Sequence, residues 1–163
     1  PGIIKAMRHV NDKMDHIKNI VIDDWQYMSS FEYFDRANEK GYDKFTQIAA
    51  NLAQVAKLPK DLRDDLNIFF LTHSEDSTDI NGNRKIKAKT IGKMIDNTLT
   101  LEGLFSIVLF GKVNKNDDGV LQYGFETQNS GENTCKSPMG MFEDLFIPND
   151  LQFVKDCIDK YNK

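Results

Sequence analysis

Two short apolar runs, Ile20-Val21-Ile22 and Ile68-Phe69-Phe70-Leu71, constrain this chain most, because both have strand length and both end in polar residues. Three β-branched residues in succession suit a strand buried on both faces, as central parallel strands are. The first run closes on Asp23-Asp24 and the second on Thr72-His73-Ser74-Glu75. Each run follows an amphipathic pattern. Ile3, Met7, Val10, Met14 and Ile17 recur at helical spacing before the first, and Phe45, Ile48, Leu52 and Val55 before the second. Between them, Trp25 to Lys40 reads as a loop and a short helix ended by Gly41, and Pro59 stops the second long helix. Helix and buried strand in alternation predict parallel crossovers and a three-layer α/β fold.

The later chain changes character. Asn81-Gly82 is a tight-turn signal, followed by the alternating stretch Arg84 to Lys89. Thr90 to Asn97 suits a short helix. Leu104 to Val113 and Val120 to Thr127 flank Asp117-Asp118-Gly119 and predict an antiparallel hairpin. A polar loop runs from Asn129 to Pro138. Asn149 or Asp150 then caps a helix whose apolar face is Leu151, Val154, Ile158 and Tyr161. With no repeat and no low-complexity linker, residues 1–163 read as a single domain.

Composition narrows the class. The chain is 40% hydrophobic and 28% charged, as ordinary globular proteins are. Its longest apolar run, Leu104 to Phe110 interrupted by Ser106, falls far short of the roughly 20 residues that cross a bilayer, so no membrane role is expected. Two cysteines, Cys135 and Cys157, and no export signal point to a reducing, cytoplasmic setting with both thiols structural. A net charge of −4 argues against a general basic coat for duplex DNA but leaves room for a local patch. The chain begins Pro1-Gly2 without a methionine and reads as a fragment or processed product.

Chemistry is expected at the carboxyl ends of the two strands, where open α/β sheets place their ligands. Carboxylate oxygens suit magnesium, held through one or two carboxylates plus phosphates and waters. The second carboxylate of the pair is then free to orient or deprotonate a water. A hydroxyl and an imidazole on the neighbouring strand, Thr72 and His73, suit sensing a terminal phosphate or placing that water. From residues alone, Asp23-Asp24 equally suits a turn cap, and Thr72 and His73 suit local backbone contacts.

These residues resemble a known family. Asn19 to Asp24 resembles the magnesium-binding Walker B strand of RecA-like P-loop ATPases, and Asn67 to Glu75 looks like the following strand with its sensor tip. The runs Lys89-Thr90-Ile91-Gly92-Lys93-Met94, Leu101-Glu102-Gly103, Phe125 to Asn129, Lys136 to Glu143 and Ile147 to Leu151 are similar to bacteriophage ATP-binding proteins of that superfamily. The resemblance implies a RecA-like core: a mostly parallel sheet flanked by helices, with a C-terminal antiparallel hairpin. It implies a homo-oligomeric ATPase that uses ATP and Mg2+ and acts on DNA, single-stranded by expectation, in phage recombination or replication. By the same resemblance Asp23 binds magnesium, Asp24 stands near the attacking water, Thr72 or His73 is the sensor, and Lys136 reaches the nucleotide of a neighbouring subunit.

One departure matters. A P-loop needs G-x-x-x-x-G-K-[ST], whose amides cradle phosphate. Gly92-Lys93 has Lys87 at the first glycine position and Met94 at the last, and Gly111-Lys112 has Ser106 and Val113. In this family the loop precedes the Walker B strand, where this chain has only Pro1 to Lys18. The expectation is therefore a core lacking its phosphate loop, inactive in ATP hydrolysis by itself. Two further readings stand beside it. Arg84, Lys85, Lys87, Lys89 and Lys93, with no acidic residue among them, suit a salt-sensitive contact with single strands and a non-catalytic nucleic-acid or subunit-binding module. Asp23, Asp24, His73, Glu75 and Asp76 alternatively suit a metal-dependent nuclease or phosphoesterase.

Overall fold

The computed structural model describes residues 2–78, 81–90 and 100–163. The chain clusters into two compact units, Pro1–Glu75 with Ala88–Leu104, and Asp76–Lys87 with Phe105–Lys163. The secondary structure is mixed α and β, and its strands form three small sheets among the described residues.

The first unit opens with α1 (Gly2–Lys13), β1 (Asn19–Ile22), α2 (Tyr27–Asp35) and α3 (Asp43–Lys57). A 3₁₀ turn, Leu58–Asp61, carries Pro59 in its first positions and leads to β2 (Asn67–Phe70). Proline lacks the N–H that a continuing helix needs, which is why α3 ends there. Ile48, Leu52 and Val55 recur on one face of α3 and are buried, together with Met7 of α1, Trp25 and Leu101. Burial of such side chains is worth about 1.5–3 kcal/mol each against exposure.

α1 is shorter than its apolar spacing predicts. It stops at Lys13, and Met14 and Ile17 belong to the turn that follows. Helix ends leave carbonyls without intrahelical donors. Here Arg63 adds donors, Nη1 to Val10 O and Asn11 O, each at 2.9 Å, and Nη2 to Met14 O at 3.3 Å and to Ile17 O, while Met14 N and Ile17 N also serve Val10 O and Met14 O. Its backbone N–H donates to Asn11 Oδ1 at 2.7 Å. One arginine thus ties the end of α1, and the turn into β1, to the segment that enters β2.

β1 and β2 pair in parallel, Asn19 with Asn67 through Ile22 with Phe70. The crossover between them consists of α2, α3 and the 3₁₀ turn, longer than the minimum a parallel pair requires. Among the described residues this sheet has two strands, and the expectation that Ile20-Val21-Ile22 is buried on both faces is corrected: Ile22 is buried, but Val21 is 52% exposed. Among the described residues β1 has β2 as its one strand neighbour.

The second unit holds β5 (Phe110–Lys115), β6 (Leu121–Glu126), β7 (Phe146–Pro148) and α4 (Leu151–Tyr161). The hairpin predicted around Asp117-Asp118-Gly119 is present, with Phe110 opposite Glu126 and Lys115 opposite Leu121. Gly119 has a φ of +77°, and the turn closes through Asn116, whose Oδ1 accepts from Val120 N at 2.8 Å. The strand begins later than the apolar run: Leu101–Leu104 is a 3₁₀ turn, and Val108 makes a single bridge to Lys136. β7 adds to β6, placing Gly124 opposite Pro148, so residues 146–148 form a strand before α4 starts. Asp150 caps α4, accepting from Gln152 N at 2.7 Å and Phe153 N at 3.4 Å, as the sequence predicts.

β3 (Ser74–Thr78) and β4 (Arg84–Ala88) form the remaining two-stranded sheet. The turn signal Asn81-Gly82 lies between them, and Gly82 has a φ of +84°. β3 is absent from the sequence reading, because a polar run (Ser74-Glu75-Asp76-Ser77-Thr78) carries no apolar alternation to announce it. The short helix expected over Thr90 to Asn97 falls, from residue 91 onward, outside the described residues.

Candidate functional site

The parallel ladder does not stop where the strands do. Leu71 N donates to Ile22 O at 2.9 Å, and Trp25 N donates to Leu71 O at 3.2 Å. The two chains therefore leave the sheet together. Asp23-Asp24 and Thr72-His73 are carried to the same carboxyl edge, as the sequence predicts. Trp25 turns inward, 2% exposed, with its ring edge-on to Phe70 at 5.2 Å.

At this edge Asp24 and His73 meet. His73 Nε2 lies 3.0 Å from Asp24 Oδ1, and both side chains remain about half exposed, at 59% and 48%. Gln26 Nε2 donates to the same Oδ1 at 3.2 Å. Tyr27 stands edge-on to the imidazole with ring centroids 6.3 Å apart, and it stacks on Phe31 at 6.0 Å. Asp24 has a φ of +49°, the one positive value outside glycine among the described residues. Aspartate tolerates this left-handed region better than most residues, and such positions concentrate at functional sites.

Asp23 precedes this turn as an exposed carboxylate with no hydrogen-bond or ion-pair partner among the described residues. An unengaged carboxylate beside a second one suits a hard cation that keeps waters and phosphates as its other ligands. Among the described residues no group of three or more His, Cys, Asp and Glu is gathered as a complete metal cage. Thr72 is exposed, and its Oγ1 donates to the His73 carbonyl at 3.3 Å, which satisfies the hydroxyl locally.

The other sequence candidates lie elsewhere in the fold. Asp76, one of the five groups in the nuclease reading, is gripped by Arg84 through Nε at 2.9 Å and Nη2 at 3.1 Å. That pairing partly neutralises the first residue of the basic stretch. Arg84, Lys85 and Lys87 sit on β4 rather than on a loop, Lys89 is exposed just beyond it, and Lys93 lies outside the described residues. Lys136 belongs to the second unit. Its N–H donates to Val108 O at 3.0 Å and its carbonyl accepts from Val108 N at 2.8 Å.

The polar loop that carries Lys136 is braced at several points. Gln128 Nε2 donates to Ser137 O and Oγ, and Ser137 Oγ donates to Thr127 O. Glu126 binds Lys112 at 2.7 Å and also accepts from Asn133, whose Oδ1 accepts from Cys135 N at 3.0 Å. The Glu126 carboxylate holds the Lys112 ammonium above its ordinary pKa. Burial, then the charge of Glu126, pushes the Cys135 thiol up to about 12, so Cys135 is an inert packed thiol.

Gln26 and Tyr27 are site residues that sequence reasoning missed. Neither carries a charge or a motif, and both are placed by the tight turn after β1. Comparison with protein-family models, with curated proteins and with solved structures finds no match to the chain.

Proposed function

We propose that the shared edge of β1 and β2 is the metal-and-water side of a nucleoside triphosphatase site, in an ATP-dependent protein of RecA-like phage type that acts on DNA. The observation that carries this reading is the contact between Asp24 and His73 across adjacent, in-register parallel strands, with Asp23 unengaged beside it. Asp23 is the group that would hold Mg2+, which when bound neutralises charge on the terminal phosphate. Asp24 accepts a hydrogen bond from Gln26 on Oδ1, the oxygen that His73 Nε2 also approaches to 3.0 Å, leaving Oδ2 to take a proton from an attacking water. Attack on the terminal phosphorus breaks its bond to the bridging oxygen, and the products are the diphosphate and inorganic phosphate. Thr72 and His73 are the sensing groups at the same edge. Lys136 is the cation offered to a neighbouring subunit of a homo-oligomer, and Lys85, Lys87 and Lys89, with Arg84 and Lys93, are the contacts to single-stranded DNA.

The test is phosphate release from ATP by the native gene product with Mg2+ and single-stranded DNA. Asp23→Ala abolishes turnover while far-UV circular dichroism is unchanged, and Asp24→Asn lowers kcat by about 10²–10³-fold, as the loss of a positioned base does. Undiminished turnover in Asp23→Ala refutes the assignment.

A further inference from the structure

The Asp24 carboxylate is held from two sides, and one of the two holders is an odd choice of residue. Gln26 is 5% exposed. Its Nε2 reaches Asp24 Oδ1, but its Oε1 is buried and accepts no hydrogen bond among the described residues. A buried amide oxygen without a donor destabilises a fold, and an apolar side chain of the same length avoids that loss. Among the described residues the engaged half of this glutamine is the amide N–H aimed at Asp24.

The local chain is built around that aim. Ser29 Oγ donates to Gln26 O at 2.7 Å inside the protein, and Tyr27 N donates to Asp24 O at 2.9 Å. These bonds close the turn in which Asp24 takes its φ of +49°. Both Gln26 Nε2 and His73 Nε2 meet Oδ1, and no described residue donates to Oδ2. A donor at 3.2 Å and an imidazole nitrogen at 3.0 Å on the same oxygen restrain the rotation of the carboxylate and leave Oδ2 without a partner among the described residues. The amide orientation is dictated by charge, because turning Oε1 toward an ionised carboxylate would set two acceptors against each other.

We infer that Gln26 is a positioning residue: it locks the Asp24 carboxylate so that Oδ2 alone is presented to the reacting water. The kinetic consequence rests on the triphosphatase reading above, whereas the lock itself does not. Gln26→Met keeps the side-chain length and removes both the donor and the unpartnered oxygen. Its urea midpoint, followed by Trp25 fluorescence, is equal to or higher than that of the native protein. In the hydrolysis assay its kcat falls roughly tenfold or more with KM unchanged, since a misplaced reacting group costs rate rather than binding. In nitrogen-15 spectra of the 163-residue chain without nucleotide, the Gln26 side-chain amide protons exchange slowly with solvent, and Asp24→Gly, which suits the same φ, shifts them and speeds their exchange. A lowered midpoint with unchanged kcat overturns the inference, as does an amide pair that exchanges fast or ignores Asp24→Gly. Absence of hydrolysis by the native protein together with the coupled amide signature refutes the triphosphatase reading and supports the lock.

Discussion

Replacing Arg63 by methionine tests whether one side chain holds the first unit's strand edge in place. The methionine keeps the apolar stem and removes the guanidinium. Its loss removes a donor from four carbonyl oxygens at the end of α1 and the turn after it; those of Val10 and Met14 keep backbone donors, from Met14 N and Ile17 N, while those of Asn11 and Ile17 lose theirs. Hydrogen bonds from a charged donor contribute about 1.5–3 kcal/mol each, but bonds sharing one donor group are not additive and water replaces part of each. The two Nη1 contacts at 2.9 Å are well formed, while the 3.3 Å contact to Met14 is weak. The favourable charge at a helix carboxyl end adds about 0.3–1 kcal/mol. The sum expected is about 3 kcal/mol, roughly a hundredfold in the folded-to-unfolded ratio. With a urea slope of about 1–3 kcal/mol/M, the midpoint falls by about 1–3 M. Trp25 is the single tryptophan, buried in the first unit, so its fluorescence reports this transition without interference from the second. Lys18→Met is the control, because the Lys18–Asp65 pair is half exposed on both sides and such pairs add little. Equal midpoints for the two variants would refute the account, for they would mean that water serves those carbonyls as well as Arg63 does.

Gly124 gives a second test, in the other unit. A Cβ built there would lie 2.3 Å from Phe146 Cζ and 2.5 Å from the Ile147 carbonyl oxygen, and the latter belongs to the β6–β7 ladder. Gly124→Ala should therefore destabilise the second unit by about 1–3 kcal/mol, measured as a lower thermal midpoint in near-ultraviolet circular dichroism. Acid supplies a third. Asp65 is held below the ordinary carboxylate range first by the Lys18 ammonium, then by the charges of Lys18 and Arg63, with burial opposing them. A depressed folded pKa stabilises above the unfolded value of about 3.9 and loses that contribution as pH falls through the lower folded value. Asp65→Asn should flatten the decline of the Trp25 urea midpoint below about pH 4, and an unchanged acid slope would contradict this.

That Asp23-Asp24 and Thr72-His73 share one sheet edge was legible in the sequence, whereas the contact between Asp24 and His73 was not. β-branched runs announce strands, and two strands turning polar at corresponding ends place Asp23-Asp24 beside Thr72-His73 if they are parallel neighbours. That condition is met by β1 and β2. The helical spacing of Ile48, Leu52 and Val55, the Asp117-Asp118-Gly119 hairpin and the Asp150 cap were likewise readable, because each depends on residues close in the chain. What was not legible depends on partners far apart or on backbone angles. Arg63 reaches back 46 to 53 residues to end α1, and nothing in its own neighbourhood signals that. β3 has no apolar alternation and exists because β4 pairs with it. Val21 is exposed because a strand's burial is set by its neighbours rather than by its own hydrophobicity. The role of Gln26 required the left-handed turn at Asp24, which brings the Gln26 amide, two residues on, back onto the Asp24 carboxylate. Local composition thus determined which segments become helix or strand and which ends carry chemistry. Only the tertiary structure decided which of those ends touch, because long-range hydrogen bonds and packing select one arrangement from the many that local preference allows.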